Sequence, residues 1–266
     1  MDNKVRSSEA SRLMRIAVAG GTGMVGHYVV QAAQARGHDV IVLSRAHGVD
    51  LRTGQGLESA LDGATVIIDV TNPSTTQGEA ASAFFTEVPS RLQAVGAAHG
   101  VQHLISLSIV GIDRAPAHGY YAAKLRQEQV TLAGPVPATV MRATQFHEFA
   151  VQMLRRTRQD SVAHVPSRRV QPVAARTVAR WLVELASEAA IGRAPDLAGP
   201  AQADLVDLAR AFVRRYGLQI TVTAAPADPT IPPGANLPTA GARIDGPTFE
   251  QWLESDDAAR LAAYSS

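Results

Sequence analysis

The sequence predicts an α/β fold: a doubly wound parallel sheet with helices on both faces, continued by a smaller C-terminal part. Three observations lead there. Runs rich in Val and Ile recur as unbroken apolar blocks, the pattern of strands buried on both faces. Helix-like segments separate these blocks at strand–helix–strand spacing. A glycine cluster, AGGTGMVG, sits where the first strand should turn into the first helix.

Taken in order, RIAVAG (15–20) reads as the first buried strand, and HYVVQAAQARG (27–37) as a helix closed by Gly37. DVIVLSR (39–45) is the second strand. A short third strand is expected before Asp50 in GVDL. GLESALDG (56–63) is a short helix, and TVIIDVTNP (65–73) a fourth strand stopped by Pro73. The stretch from Glu79 to His99 is helical, with Pro89 expected to kink or break it. QHLISLS (102–108) and ATVMRA (138–143) are the fifth and sixth strands, with a helix from Tyr120 to Leu132 between them. Beyond residue 145 the rhythm loosens. Amphipathic helices are expected over 174–189 and 203–217, and loops over the Pro- and Gly-rich 225–247. Residues 14–145 are thus read as the core. Residues 146–266 are read as a smaller part packed on it in one globular unit, and the polar residues 1–13 as a disordered extension, with Met14 as a natural start.

Composition narrows the function. Apolar residues make up 46% of the 266-residue chain and charged residues 18%, enough for a sizeable core. The net charge of +1, with charges scattered, gives no nucleic-acid footprint. No run of about 20 apolar residues suggests a membrane span, and the N-terminus lacks the apolar segment of a secretory signal. The absence of cysteine excludes disulfides, thiolate catalysis and cysteine–metal sites. A cytoplasmic monomer or homodimer acting on a small molecule is expected. His99 and His103 are separated by Gly100, so no metal-binding helix face forms, and no G-x-S-x-G elbow points to a hydrolase.

The glycine loop carries the strongest chemical signal. Gly20, Gly23 and Gly26 follow a G-x-x-G-x-x-G pattern between strand and helix. Gly20 allows the tight turn, Gly23 lets the backbone approach a pyrophosphate, and Gly26 lets the helix pack on the sheet. Thr22, Met24 and Val25 complete the loop, and the helix N-terminus favours phosphate charge. A dinucleotide is expected there. An NAD-selecting acid usually ends the second strand. Here Ser44 and Arg45 occupy that place, and a guanidinium binds a 2′-phosphate by charge-assisted bonds. NADP(H) is therefore favoured over NAD(H). Asp50 is positioned either to contact adenine or to cap a turn.

AGGTGMVG, LSR, VTNP, LISLSIVG and YYAAK stand in the order found in short-chain dehydrogenases/reductases, which the chain resembles. RVQPVAARTVARWLVELA and DLAGPAQADLVDLARAF are similar to the C-terminal half of the atypical, NmrA-like branch. The resemblance spans residues 14 to 255 and implies a Rossmann fold with a small substrate lobe. It places Thr71 and Asn72 near the cofactor ribose. It makes Ser108, Tyr120 and Lys124 the catalytic serine, tyrosine and lysine, with Lys124 also holding the cofactor. It assigns the substrate pocket to the segment of Gln145, Phe146, His147 and Phe149. Tyr120 and Lys124, four apart, share a helix face, and the ammonium is expected to lower the tyrosine pKa. Arg142 is expected to be an ion-pair partner.

Together these readings describe an NADP-preferring oxidoreductase that passes hydride to a small carbonyl, quinone or conjugated compound. The second reading is a non-catalytic NAD(P)-binding redox sensor. The third, an epimerase or dehydratase of nucleotide sugars, is disfavoured by the short C-terminal lobe and the absence of a clear sugar-nucleotide pocket.

Overall fold

The computed structural model describes residues 13–73 and 78–263, so the expectation of disorder before residue 13 lies outside the described residues. The chain alternates β1 (Arg15–Ala19), α1 (Gly26–Ala35), β2 (Asp39–Leu43), α2 (Leu57–Ala60), β3 (Val66–Asp69), α3 (Gly78–Ala98), β4 (His103–Ile109), α4 (Gly119–Ala133) and β5 (Ala138–Ala143). It continues through α5 (His147–Thr157), β6 (Arg158–Gln159), β7 (Val162–Pro166), β8 (Arg169–Val170), α6 (Ala175–Ala186), β9 (Gly192–Arg193), β10 (Leu197–Ala198) and β11 (Ala203–Asp204). It closes with α7 (Leu205–Tyr216), β12 (Thr221–Ala225), β13 (Arg243–Ile244), α8 (Phe249–Leu253) and α9 (Asp256–Ala263).

The main sheet runs β13-β10-β5-β4-β3-β1-β2, with β9 also on β5, and every pairing in it is parallel. This is the Rossmann-like fold the sequence predicts. Its apolar blocks serve both faces. Ile16 and Val18 of β1 pack with Val29 of α1 and Val178 and Leu182 of α6. Ala17 and Ala19 point the other way, toward Leu57 and Leu61 of α2 and Val88 and Leu92 of α3. The small alanines let that second helical layer sit close. The C-terminal half therefore contributes α6 to one face, and β9, β10 and β13 to the β5 side of the sheet. Its remaining elements build a second core around Leu154, Phe212, Phe249 and Trp252.

Two expected elements differ. No strand forms before Asp50. The chain there makes a 3-10 turn over Arg45–His47, ended by Gly48 at φ 77°, and the Asp50 carboxylate accepts from the N–H of Arg52 (2.8 Å) and Thr53 (3.3 Å). A positive-φ glycine and an Asx turn use up the backbone a strand would need. Helix α3 also runs through Pro89 without a break. Burial of Phe85, Val88 and Leu92 against the sheet side holds it together on both sides of the proline.

The order of connections positions the site. From β1 the chain steps to β2 on one side, and β3 lies on the other. The crevice at such a reversal, outside the carboxyl ends of the strands, is where ligands bind in open α/β sheets.

Candidate functional site

A single cleft of about 1520 Å³ runs along that edge. At one end lie Ser44, Arg45, Asp50 and Arg52, after β2. In the middle lie Gly20, Thr22, Gly23, Met24 and Val25, facing Thr71 and Asn72 after β3 and Ser108 near the end of β4. The far end holds Tyr120, Tyr121 and Lys124 of α4 and Gln145, Phe146 and Phe149 around the start of α5. The structure thus brings together nearly every residue singled out in the sequence.

The glycine loop is shaped as the dinucleotide reading requires. Gly20 turns at φ 82°. A Cβ on Gly26 would lie 2.0 Å from the Gly20 carbonyl oxygen, so only glycine lets α1 start under the loop. Gly26 is buried and does not line the cleft. Its place among the cofactor-contacting residues is corrected to a packing role beneath them. At the β2 end, the Ser44 hydroxyl bonds His47 Nδ1 at 2.8 Å. The exposed Arg45 and its neighbour Arg52 bring two guanidinium groups to the same end. Arg52 was missed in the sequence, although it stands two residues after Asp50. Asp50 lines the cleft, but one carboxylate oxygen is held in its own turn.

The middle of the cleft is polar and interlinked. Thr71 donates its N–H and hydroxyl to Asp69 at 2.9 and 2.7 Å. Ser108 is 3% exposed, and its hydroxyl has no well-formed hydrogen bond, although it adjoins the Glu128 carboxylate and helps lower that group's pKa. The Gln145 side-chain oxygen is likewise buried without a partner. The Gln145 oxygen, on a cleft-lining residue and without a partner among the described residues, is what a ligand would satisfy. Arg142 is the ion-pair partner expected of it: it grips Glu128 through two 2.8 Å bonds and reaches Asp113 at 3.0 Å.

The tyrosine–lysine pair departs from expectation. Tyr120 donates its phenol proton to Asn72 Oδ1 at 2.8 Å, and burial pushes its pKa up to about 12. The expected lowering by Lys124 does not occur, because the lysine is engaged elsewhere. Its ammonium donates to the Leu107 carbonyl at 2.8 Å and to Gln127 Oε1, and lies over the Phe85 ring. Desolvation brings the Lys124 pKa down to about 8, against the nearby Asp69 and Glu128 charges. Tyr121 lines the cleft on the side of the C-terminal loops, where its hydroxyl accepts from Asn236 at 3.0 Å.

His147 is the clearest correction. It does not line the cleft. It is 1% exposed, packed against Phe249 and Trp252, with Nε2 donating to the Pro247 carbonyl at 3.0 Å. Desolvation lowers its pKa to about 4. One residue of helical rotation, about 100°, turns it into the second core while Phe146 and Phe149 reach the cleft. Sequence reading also missed His118, Arg156, Arg168 and Asp228, which line the far end. His118 caps α4 by accepting from the Tyr121 N–H, and its Nε2 lies 3.6 Å from Asp228. These residues come from separate loops, and nothing in their local pattern announces a shared site. Among the described residues, no helix is long and apolar enough to cross a membrane.

Residues 16–108 match the family model described as NAD dependent epimerase/dehydratase family. No curated protein matches the chain in sequence. Among solved structures, MoeE5 in complex with UDP-glucose and NAD aligns at a TM-score of 0.73 and 14% identity, over 94% of this chain and 99% of that one. The NAD-dependent NDP-hexosamine 5,6-dehydratase TunA aligns at 0.71 and 16% identity, over 94% and 97%. The NADPH-dependent quinone oxidoreductase QOR2 from Escherichia coli aligns at 0.57 and 19% identity, over 79% and 78%. Both alignments with MoeE5 and TunA are near-complete, so the C-terminal lobe of this chain is about as long as theirs. What the comparisons share is the fold and, over residues 16–108, the sequence pattern of NAD dependent epimerases and dehydratases.

Proposed function

We propose that this protein is an NAD(P)-dependent oxidoreductase of the short-chain, NmrA-like type, cytoplasmic, NADP-preferring, and acting on a small carbonyl, quinone or conjugated substrate. The observation that carries the reading is the continuity of the cleft. It joins a glycine loop with two exposed guanidinium groups at one end to Ser108, Tyr120 and Lys124 at the other. A bound dinucleotide supplies the hydride. The chain supplies the rest. Gly20 to Val25 would receive the pyrophosphate, Arg45 and Arg52 the 2′-phosphate, and Thr71, Asn72 and Lys124 the nicotinamide ribose side. Gln145, Phe146 and Phe149 form the wall against which an apolar carbonyl compound would lie. A protonated Tyr120 would donate to the substrate oxygen once a ligand displaces its bond to Asn72.

The committed phenol of Tyr120 favours one second reading, a non-catalytic sensor that binds NAD(P) and regulates a partner protein. The deciding experiment is NADPH binding by calorimetry, followed by NADPH oxidation against quinones, aldehydes, enones and nucleotide sugars. Oxidation with any of the first three supports the proposal. Tight binding without turnover across the panel moves the assignment to the sensor, and turnover confined to nucleotide sugars moves it to the epimerase and dehydratase class.

A further inference from the structure

Lys124 is the only lysine lining the cleft among the described residues, and it is 4% exposed. A buried ammonium stays charged only if its donors are satisfied and an opposite charge is near. The structure provides both through residues outside the cleft. Gln127, one helical turn along α4 and 1% exposed, accepts from Lys124 on its amide oxygen. Its amide nitrogen donates to Asp69 Oδ2 at 2.8 Å. Asp69, fully buried at the end of β3, takes the N–H and hydroxyl of Thr71 on its other oxygen. The chain Thr71–Asp69–Gln127–Lys124 begins and ends on cleft-lining groups and passes through two that never reach it. Charge fixes the direction of the Gln127 amide. Reversed, it would put N–H groups against the ammonium and an oxygen against the carboxylate.

We propose that Asp69 and Gln127 are positioning residues for Lys124. The Gln127 amide acts as a neutral spacer that passes on the Asp69 charge while preventing a direct Asp69–Lys124 ion pair from drawing the ammonium out of the cleft. The inference rests on the dinucleotide reading, in which Lys124 holds the cofactor ribose. The other groups facing the ammonium leave this role to Asp69. From its own helix come Tyr120, whose proton is given to Asn72, and Glu128, already bound by Arg142 and Arg193. From α3 comes the Phe85 ring, and from β4 the neutral Leu107 carbonyl.

The chain makes a prediction with opposite signs. NADPH affinity should fall as pH rises through the Lys124 pKa. In Asp69→Asn the supporting charge is gone, so this alkaline limb should move down by about one pH unit or more. In the double variant Asp69→Asn/Gln127→Glu the carboxylate abuts the ammonium with an amide in place of the Asp69 charge, so the limb should move up. A merely structural role would weaken both variants without moving their limbs in opposite directions. The experiment measures the NADPH Kd from pH 6 to 10 for the unchanged protein and both variants. Lys124 is titrated in parallel by NMR on 15N-lysine-labelled protein without cofactor, and thermal melts confirm folding. Opposite shifts support the proposal. An unmoved Lys124 titration in a folded Asp69→Asn/Gln127→Glu protein overturns it, even if Asp69→Asn alone fails to fold. If NADPH does not bind the unchanged protein, the dinucleotide reading falls, and the Lys124 titrations alone still decide whether the network sets that lysine.

Discussion

At Tyr120 the phenol proton goes to Asn72, whereas one residue later the Tyr121 oxygen receives a bond from Asn236. The spacing of YYAAK put Tyr120 and Lys124 on one helix face, and the structure keeps both on the cleft. Spacing did not show where each polar atom would find its partner, because Asn72, Gln127 and Leu107 come from different parts of the chain. The pKa argument therefore reverses. With burial dominating, Tyr120 stays protonated across the neutral range, so it would act as a donor in reduction and a poor base in oxidation. Tyr120→Phe is expected to lower kcat at least 100-fold on a substrate that turns over, with the NADPH Kd within about threefold. Tyr121→Phe should leave kcat within a fewfold but cost about 1 kcal/mol of stability, because the buried Asn236 amide loses an acceptor. Steady-state kinetics and denaturant melts of both variants check this. Full kcat in Tyr120→Phe would leave the phenol as a packed helix start.

At the scale of elements, the second and third glycines of the loop separate into binding and packing. Gly26→Ala forces a Cβ into the Gly20 carbonyl at the start of α1, so the loop and helix must part. A loss of several degrees in Tm is expected with or without ligand. Gly23 is exposed at the cleft, where an added Cβ meets only the Gly20 oxygen, at 3.2 Å. Gly23→Val should keep Tm within a few degrees and abolish NADPH binding, and normal affinity in that variant would refute the loop assignment. This part of the site was legible because strand, turn and helix are contiguous in the chain. The start of α5 was not, since QFHEF gives no sign of which side faces the cleft. There His147 and Glu148 are buried side by side, with pKa values of about 4 and about 7, both moved by desolvation. His147 has a lowered folded pKa, so its contribution is lost as pH falls from about 6.5 to 4. Glu148 has a raised folded pKa, so its contribution is lost as pH rises from about 4.5 to 7. Each is worth at most about 3 kcal/mol, and they oppose one another between about pH 4.5 and 6.5. Glu148→Gln should therefore turn a flat stability profile into one that rises from pH 5 to 7, and urea melts across that range would read it.

At the scale of the molecule, one sheet carries both ends of the cleft, since β1, β3, β4 and β5 all deliver their carboxyl ends to it. The C-terminal half is built into the same body through α6 on one face and β10 beside β5. A ligand lying along that edge would bridge the loops after these strands and after β2, and should stabilise the whole fold. At a free concentration 100 times Kd, binding contributes about 2.7 kcal/mol. For a chain of this size that corresponds to a rise in Tm of roughly 5–10 °C. On the proposed reading the rise should be larger with NADPH than with NADH at equal concentration, because Arg45 and Arg52 would meet only the 2′-phosphate. Arg45→Asp removes a charge-assisted contact and adds repulsion, at a cost of about 2–4 kcal/mol for NADPH. It leaves the NADH contacts intact, so the variant should lose the NADPH increment and keep the NADH one. Differential scanning fluorimetry on both proteins with both cofactors checks this directly. Equal losses for the two cofactors would mean that Arg45 supports the loop after β2 and does not read the phosphate.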